Sequence, residues 1–449
     1  MTEARPADPA RMSGLRGLLE RRFRLAEHGT TVRTEVLAGL TTFLTMAYIV
    51  FINPSILAEA GMPRGAVFVA TCLVSALGSL IMALSANYPI ALAPGMGLNA
   101  YFTYVVVQGL GFTWQAALGA VFISGLCFLI VTLTGLRALI VDGIPRSMRV
   151  AMTVGIGLFL AIIALKNAGL VVASPATLVT LGDLHKPEAV LAVIGFLMVA
   201  VLSARKVRAA LLASILTVTA LSFGMTDNAF QGIVALPPSI APTLFALDVP
   251  AALSAGLLNV ILVLFLVELF DATGTLMAVA SRAGLLTEGR MRRLDRALMA
   301  DSVSVFAGSL LGTSSATAYL ESASGVEEGG RTGLTAATVA MLFLACLFFA
   351  PLAAAVPPYA TAPALFYVAC LMIRELVAVD WDDRTEAIPA CVTALFMPFT
   401  YSIATGVSFG FITYAVLKLL AGRAREVKPV VWVIAAVFLF KLVETGGAH

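Results

Sequence analysis

The chain has 449 residues, 60% of them hydrophobic and 12% charged, with a mean hydropathy of +0.97 and a net charge of +3. Soluble domains are about 45–50% apolar and about 25% charged, so a water-soluble enzyme of this length could not cover its surface with so few charges. Disorder, a coiled coil and a disulfide scaffold are excluded on the same grounds, which leaves an integral membrane protein of the helical kind.

Residues 1–34 carry seven arginines and no long apolar core, and read as a cytoplasmic segment without a cleavable signal. Within it, Gly14 to Phe23 suits a short amphipathic helix on the membrane surface. A transmembrane helix needs roughly 20 apolar residues. That rule predicts spans at 35–56, 66–87, 89–108, 114–136, 148–168, 189–204 and 207–226. A polar, proline-containing extracytoplasmic connection follows over 227–250. The second series lies at 251–280, 296–312, 313–330, 333–355, 361–378, 386–402 and 404–421. The tail, 422–449, is expected to be cytoplasmic or interfacial, with a short apolar run at 430–443. With the N-terminus inside and fourteen spans alternating, 25 Lys and Arg fall on the cytoplasmic side, against Arg64, Lys166 and Lys186 on the other. Lys441 sits in the final run. Such an asymmetry is the positive-inside pattern.

The fold class predicted is therefore all-α and polytopic, with fourteen transmembrane segments in two repeats of seven, 35–226 and 251–421. Seven is odd, so the second repeat enters the membrane inverted relative to the first. Each half has one span too polar and glycine-rich for an ordinary helix. In span 3 it is Pro89-Ile-Ala-Leu-Ala-Pro-Gly-Met-Gly-Leu-Asn99, and in span 10 it is Gly312-Thr-Ser-Ser-Ala-Thr-Ala-Tyr-Leu-Glu321-Ser-Ala-Ser-Gly325. Interrupted segments at matching places in two inverted halves point to a transporter's binding site. Irregular backbone at membrane depth survives only where it is buried in protein or lines a cavity.

Three acids lie well inside spans: Glu268 and Asp271 in span 8, and Glu321 in the break of span 10. Asp301, near the cytoplasmic start of span 9, reads as less informative. A carboxylate at the bilayer centre costs roughly 2.5–3.5 kcal/mol, and such residues mark substrate or ion pathways. No Lys or Arg is expected inside the membrane to neutralise them, so protonation or a bound substrate must do so. Glu268, Asp271 and Thr275 share a helical face, and Gly274 is expected to admit a close neighbour. Two carboxylates one turn apart in a low dielectric do not both ionise easily, which suits a proton-coupled carrier. Glu321 is placed at the start of a half-helix, with Asn99 at the comparable place in span 3. Asn99, Asp271 and Glu321 together could read a planar ligand with mixed donor and acceptor edges.

Other chemistries find little support. The five cysteines lie in apolar runs and read as buried free thiols. His28, His185 and His449 lie outside every span, so neither a metal site nor a resident cofactor is expected. The sequence contains no HExxH pair and no GxSG-like nucleophile site, so an enzyme is not expected.

The strings APGMGLNAYF (93–102), ELFDATGTL (268–276) and GTSSATAYLESASGVEEGGRTG (312–333) resemble those of the AzgA-like purine permeases among the nucleobase–cation symporters, as does RTEVLAGLTTFLTMAYIVFINPSIL (33–57). The resemblance implies the uracil-permease fold, with a core domain moving against a gate domain and short strands in segments 3 and 10 facing each other. It places the family's segment-8 acid on Asp271, a second acid on Glu268, the segment-10 acid on Glu321 and the segment-3 asparagine on Asn99. Thr275 stands where uracil-transporting relatives carry a histidine, so coupling would rest on the carboxylates Asp271 and Glu268. The implied activity is proton-coupled import of hypoxanthine, guanine or adenine across a bacterial inner membrane, by a homodimer with no nucleic-acid partner. The alternatives are another nucleobase, uracil or xanthine, or a small anion of the sulfate or bicarbonate type.

Overall fold

The computed structural model describes residues 14–445, apart from 137–139, 141–142, 231, 288–289 and 292. Arg5, Arg11, Arg137, Arg292 and His449 therefore lie outside the described residues. Among the described residues, nine helical stretches are long and apolar enough to cross a membrane, and two more, Ala210–Met225 and Pro429–Phe440, are apolar but shorter.

Helix α1 (Leu15–Phe23) leads into α2 (Val32–Met46) and α3 (Ile49–Glu59). Span 1 is thus two helices. Between them the bonds tighten, with the Val50 and Phe51 N–H groups reaching the Ala47 and Tyr48 carbonyls at 3.1 Å. Pro54, inside α3, donates no bond of its own. Helix α4 (Arg64–Ile81) ends in a five-residue π-helical stretch, Met82–Ala86, and stops at Asn87 in the left-handed conformation. The Asn87 amide donates to the Phe23 carbonyl at 3.0 Å and its oxygen accepts the Gly333 N–H at 2.8 Å, so one side chain ties α1 to the start of a distant helix.

Strand β1 (Leu92–Pro94), α5 (Met96–Ala100) and a π-helical continuation, Tyr101–Gly109, occupy the third segment. Helices α6 (Trp114–Leu133) and α7 (Arg146–Asn167) follow, then an exposed hairpin of β2 (Val171–Ser174) and β3 (Leu178–Leu181). Helices α8 (Pro187–Ala204) and α9 (Ala210–Met225) come next. The 227–248 connection is irregular where described and leads into the single turn α10 (Val249–Ala252). Then come α11 (Ala255–Arg282), the two-residue strands β4 (Leu286–Thr287) and β5 (Arg290–Met291), and α12 (Leu294–Leu311). Gly312 ends α12 at φ 90°, a conformation that costs other residues strain.

Beyond it lie β6 (Ala316–Ala318) and α13 (Ser322–Glu327). The chain then runs through α14 (Gly333–Cys346), α15 (Ala350–Ala355), α16 (Pro358–Ile373), α17 (Arg384–Phe399), α18 (Ile403–Leu420) and α19 (Pro429–Thr445).

Packing sorts these helices into two groups. In one, α2, α4, α6, α11, α12 and α14 contact one another around β1 and β6; in the other, α7, α8, α9, α16, α17 and α18 do so. Fewer contacts cross between them, chiefly α3 with α16, α5 with α7, α11 with α18 and α2 with α9. The expectation of five buried thiols needs correcting. Cys72 is buried, whereas Cys127 and Cys370 are exposed on the outer faces of their helices, which in a membrane span meet lipid of the same polarity as a core.

Candidate functional site

The interrupted stretches around 89–99 and 312–325 meet. Strand β1 pairs antiparallel with β6, Leu92 opposite Ala318, Ala93 opposite Thr317 and Pro94 opposite Ala316. The pair is extended by the Gly95 N–H on the Ser315 carbonyl (2.9 Å) and the Tyr319 N–H on the Ala91 carbonyl (3.0 Å). A buried two-stranded ribbon leaves outer backbone groups to be satisfied, and side chains from neighbouring helices do it. Ser79 of α4 accepts the Leu92 N–H at 3.0 Å, and Ser322 accepts the Ala91 N–H at 3.0 Å. Asp301 of α12, fully buried, accepts both the Ala318 N–H and the Thr317 hydroxyl at 3.0 Å. The Tyr319 hydroxyl donates to the Pro94 carbonyl at 2.6 Å.

The expected site residues divide around this ribbon. Glu321 is the residue just before α13, and its carboxylate, which makes no capping bond to the helix, accepts the Tyr48 hydroxyl at 2.5 Å from the kink between α2 and α3. Asp271 of α11 is close enough to Glu321 for the two carboxylates to act on each other electrostatically. It lines a cavity of about 30 Å³ with Gly97 and Leu98 of α5, Arg149, Met152, Thr153 and Ile156 of α7, and Met372 of α16. Gly97 is required here: a Cβ would sit 2.4 Å from Ile156 Cγ2. Glu268, one turn earlier, is not among the residues lining this cavity, and its Oε2 accepts the Ser124 hydroxyl of α6 at 3.1 Å. Thr275 lies one turn beyond Asp271 and is half-buried.

Asn99 belongs to a buried network. Its amide donates to Asn53, and its oxygen accepts the Ser314 hydroxyl. Asn53 in turn donates to Thr71 (2.7 Å) and Thr313 (2.9 Å). The network joins α3, α4 and α5 to the residues just before β6.

Two expectations fail. Gly274 admits no close neighbour: a Cβ there would meet nothing within 4 Å. The expectation that no Lys or Arg inside an apolar helix stands by an acid also fails. Helix α7 starts at Arg146, which carries Arg149 one turn in and onto the cavity wall beside Asp271. Lys418, 1% exposed near the end of α18, pairs with Glu386 (2.9 Å), Glu426 (3.0 Å) and Asp383 (3.7 Å).

Two buried acids were passed over. One is Asp301, described above. The other is Glu35 of α2, fully buried, which accepts the N–H groups of Arg331 (2.9 Å), Thr332 (3.3 Å) and Thr335 (3.2 Å) and the Thr335 hydroxyl (2.6 Å) at the start of α14. Helix N-termini attract negative charge. Glu328, just after α13, pairs with Arg208. Among the described residues, no group of three His, Cys, Asp or Glu is placed to hold a metal ion.

The family profile described as Permease family (Xan_ur_permease) matches residues 33–409. The chain belongs to the permease family. This permease is 50% identical over 428 residues to the adenine permease AdeP of Escherichia coli (strain K12), covering 95% of this chain and 96% of that protein. It is 43% identical over 430 residues to the guanine/hypoxanthine permease PbuG of Bacillus subtilis (strain 168), covering 93% and 98%. Both relatives are purine-base permeases by name, the branch that the strings at 93–102, 268–276 and 312–333 resemble. Among solved structures, the transmembrane domain of the cyanobacterium bicarbonate transporter BicA superposes with a TM-score of 0.60 at 20% identity, covering 85% of this chain and 97% of that one. That likeness concerns the fold of the permease alone.

Proposed function

We propose that this permease is a proton-coupled secondary transporter importing purine nucleobases, hypoxanthine, guanine or adenine, across a bacterial inner membrane. The observation that carries the reading is the convergence of Glu321, Asp271 and Tyr48 at the β1–β6 ribbon, beside a cavity. A purine presents donors and acceptors along one planar edge, and paired carboxylates that accept or, when protonated, donate hydrogen bonds suit it. The names of the relatives, adenine permease and guanine/hypoxanthine permease, support the same substrate class.

In this reading Glu321 and Asp271 hold the base edge, and Asp271, which lines the cavity, carries the proton. Glu268 remains the second acid of the coupling path, braced on α6 through Ser124. Asn99 supports the binding segment through Asn53 and Ser314, with Thr275 at the site's margin. The fourteen segments form two inverted repeats, 35–226 and 251–421, whose broken members supply β1 and β6. The two packing groups act as core and gate. Small-molecule pockets commonly measure about 300–1,000 Å³, so a cavity of about 30 Å³ must enlarge by motion of one group against the other. The N-terminus and the arginine-rich ends are cytoplasmic, and the working unit is a homodimer.

The fold likeness to a bicarbonate transporter raises an anion as a second substrate class, but two carboxylates at the crossing would repel one. The test is uptake of radiolabelled hypoxanthine, guanine, adenine and uracil by cells lacking their own permeases, with and without a protonophore. Purine uptake that collapses with the proton gradient, and is abolished in Glu321→Ala at an unchanged membrane level, is the expected result. Normal uptake by that variant sinks the site, uracil uptake alone sinks the substrate class, and no nucleobase uptake by a membrane-inserted protein sinks the reading.

A further inference from the structure

The stripe that α7 turns toward the cavity is Arg149, Met152, Thr153 and Ile156. The spacing i, i+3, i+4, i+7 keeps all four on one helical face. One end, Ile156, rests on Gly97 beside the strand ribbon, and the other end is Arg149, whose Cα lies about 10 Å along the axis at 1.5 Å per residue. The charged side chains lining the cavity are therefore Asp271 on the α11 wall and Arg149 on the α7 wall. Nearby, Glu386 of α17 and Lys418 of α18 bond to each other at 2.9 Å.

A symporter faces an electrostatic problem on its return stroke. Once base and proton have left toward the cytoplasm, the proton-carrying acid is ionised, and a lone carboxylate in an occluded low-dielectric passage is costly. A fixed cation in the same cavity removes that obstacle, and arginine is suited to it because it keeps its charge at every physiological pH. We propose that Arg149 is the countercharge for ionised Asp271 in the unloaded carrier, a positioning residue for the return step. This rests on the proton-symport reading of the same site.

Two kinds of transport separate this role from base binding. Net proton-driven uptake requires the unloaded return; counterflow, in which internal unlabelled purine exchanges for external labelled purine, returns the carrier loaded. Arg149→Gln is expected to reduce net uptake at least about tenfold while counterflow falls less than about twofold, and Arg149→Lys, which retains the charge, is expected to recover most net uptake. Equal loss of both activities, or no loss of either, overturns the proposal, as does failure of lysine to recover more than glutamine does. If Arg149→Gln does not accumulate in the membrane, Arg149→Gln/Asp271→Asn should restore its level by removing the uncompensated carboxylate, and no restoration overturns the proposal. The wild-type protein decides the underlying reading separately: absence of protonophore-sensitive purine uptake there is a failure of the symport reading, whereas normal wild-type uptake with an unaffected Arg149→Gln is a failure of the countercharge alone.

Discussion

Each buried acid in this protein is defined by what it accepts from. Asp301 holds one strand of the crossing by a backbone N–H and a hydroxyl, Glu35 holds the start of α14, and Glu321 takes a tyrosine hydroxyl. Removing the Asp301 carboxylate leaves the Ala318 N–H and Thr317 hydroxyl buried without that acceptor, at a cost of about 1–3 kcal/mol per group. Asp301→Ala should therefore lower the melting temperature of the detergent-purified protein by several degrees, with Asp301→Asn, which keeps an acceptor oxygen, falling between it and wild type. Equal melting temperatures for all three would show that β6 does not depend on this residue. Asp271 and Glu321 were legible in the sequence because they interrupt apolar or glycine-rich runs. Asp301, Glu35 and Arg149 were not, because hydropathy treats a charged residue near the end of a span as solvated. Whether it faces water or a neighbouring helix is a matter of packing, which no single span records.

At the level of elements, the end of α18 and the start of α17 are joined by a cluster of charges. Asp383 caps α17 through the Thr385 N–H (2.8 Å) and hydroxyl (2.7 Å), and Arg423 reaches both Asp383 and Glu426 at 2.7 Å. The Thr385 hydroxyl bond and then the Arg423 guanidinium hold the Asp383 carboxyl well below its ordinary range, and Arg423 and Lys418 lower Glu426. A carboxyl with a depressed pKa stabilises the fold above its unfolded value, near 4, and that contribution drains away as pH falls through the folded value. Thermal stability is thus expected to hold from pH 7 to about pH 4.5 and decline below it. Arg423→Gln should show a shallower decline, and a profile identical to wild type would remove the cluster from the account. The apolar periods that fixed most helices also mark their limits. The kink at Ala47–Tyr48 lies in an unbroken apolar stretch, and the β2–β3 hairpin, VVASPATLVTL, falls below the length of a span, so hydropathy assigns it no element.

Across the whole molecule, two packing groups share one cavity, and a ligand held between them stabilises the assembly by mass action. A base present at a hundred times its dissociation constant should add about 2.7 kcal/mol. Adenine, guanine or hypoxanthine is expected to raise the melting temperature of the purified protein, and Glu321→Ala should abolish the increase. A comparable increase with uracil would broaden the substrate class.

The ribbon at the centre also bears on how the chain is made. Among the described residues neither β1 nor β6 has another strand to pair with, and the hydroxyl that closes on the Pro94 carbonyl belongs to Tyr319, 225 residues later. At about 5–20 residues per second, a ribosome needs on the order of ten to forty-five seconds to supply that partner. During this interval the first half waits at the membrane with the edge of a strand open, in a solvent that offers no hydrogen bonds. Biogenesis of this protein therefore has a built-in pause in which the insertion machinery, or water held in a still-open first half, must stand in for residues not yet translated.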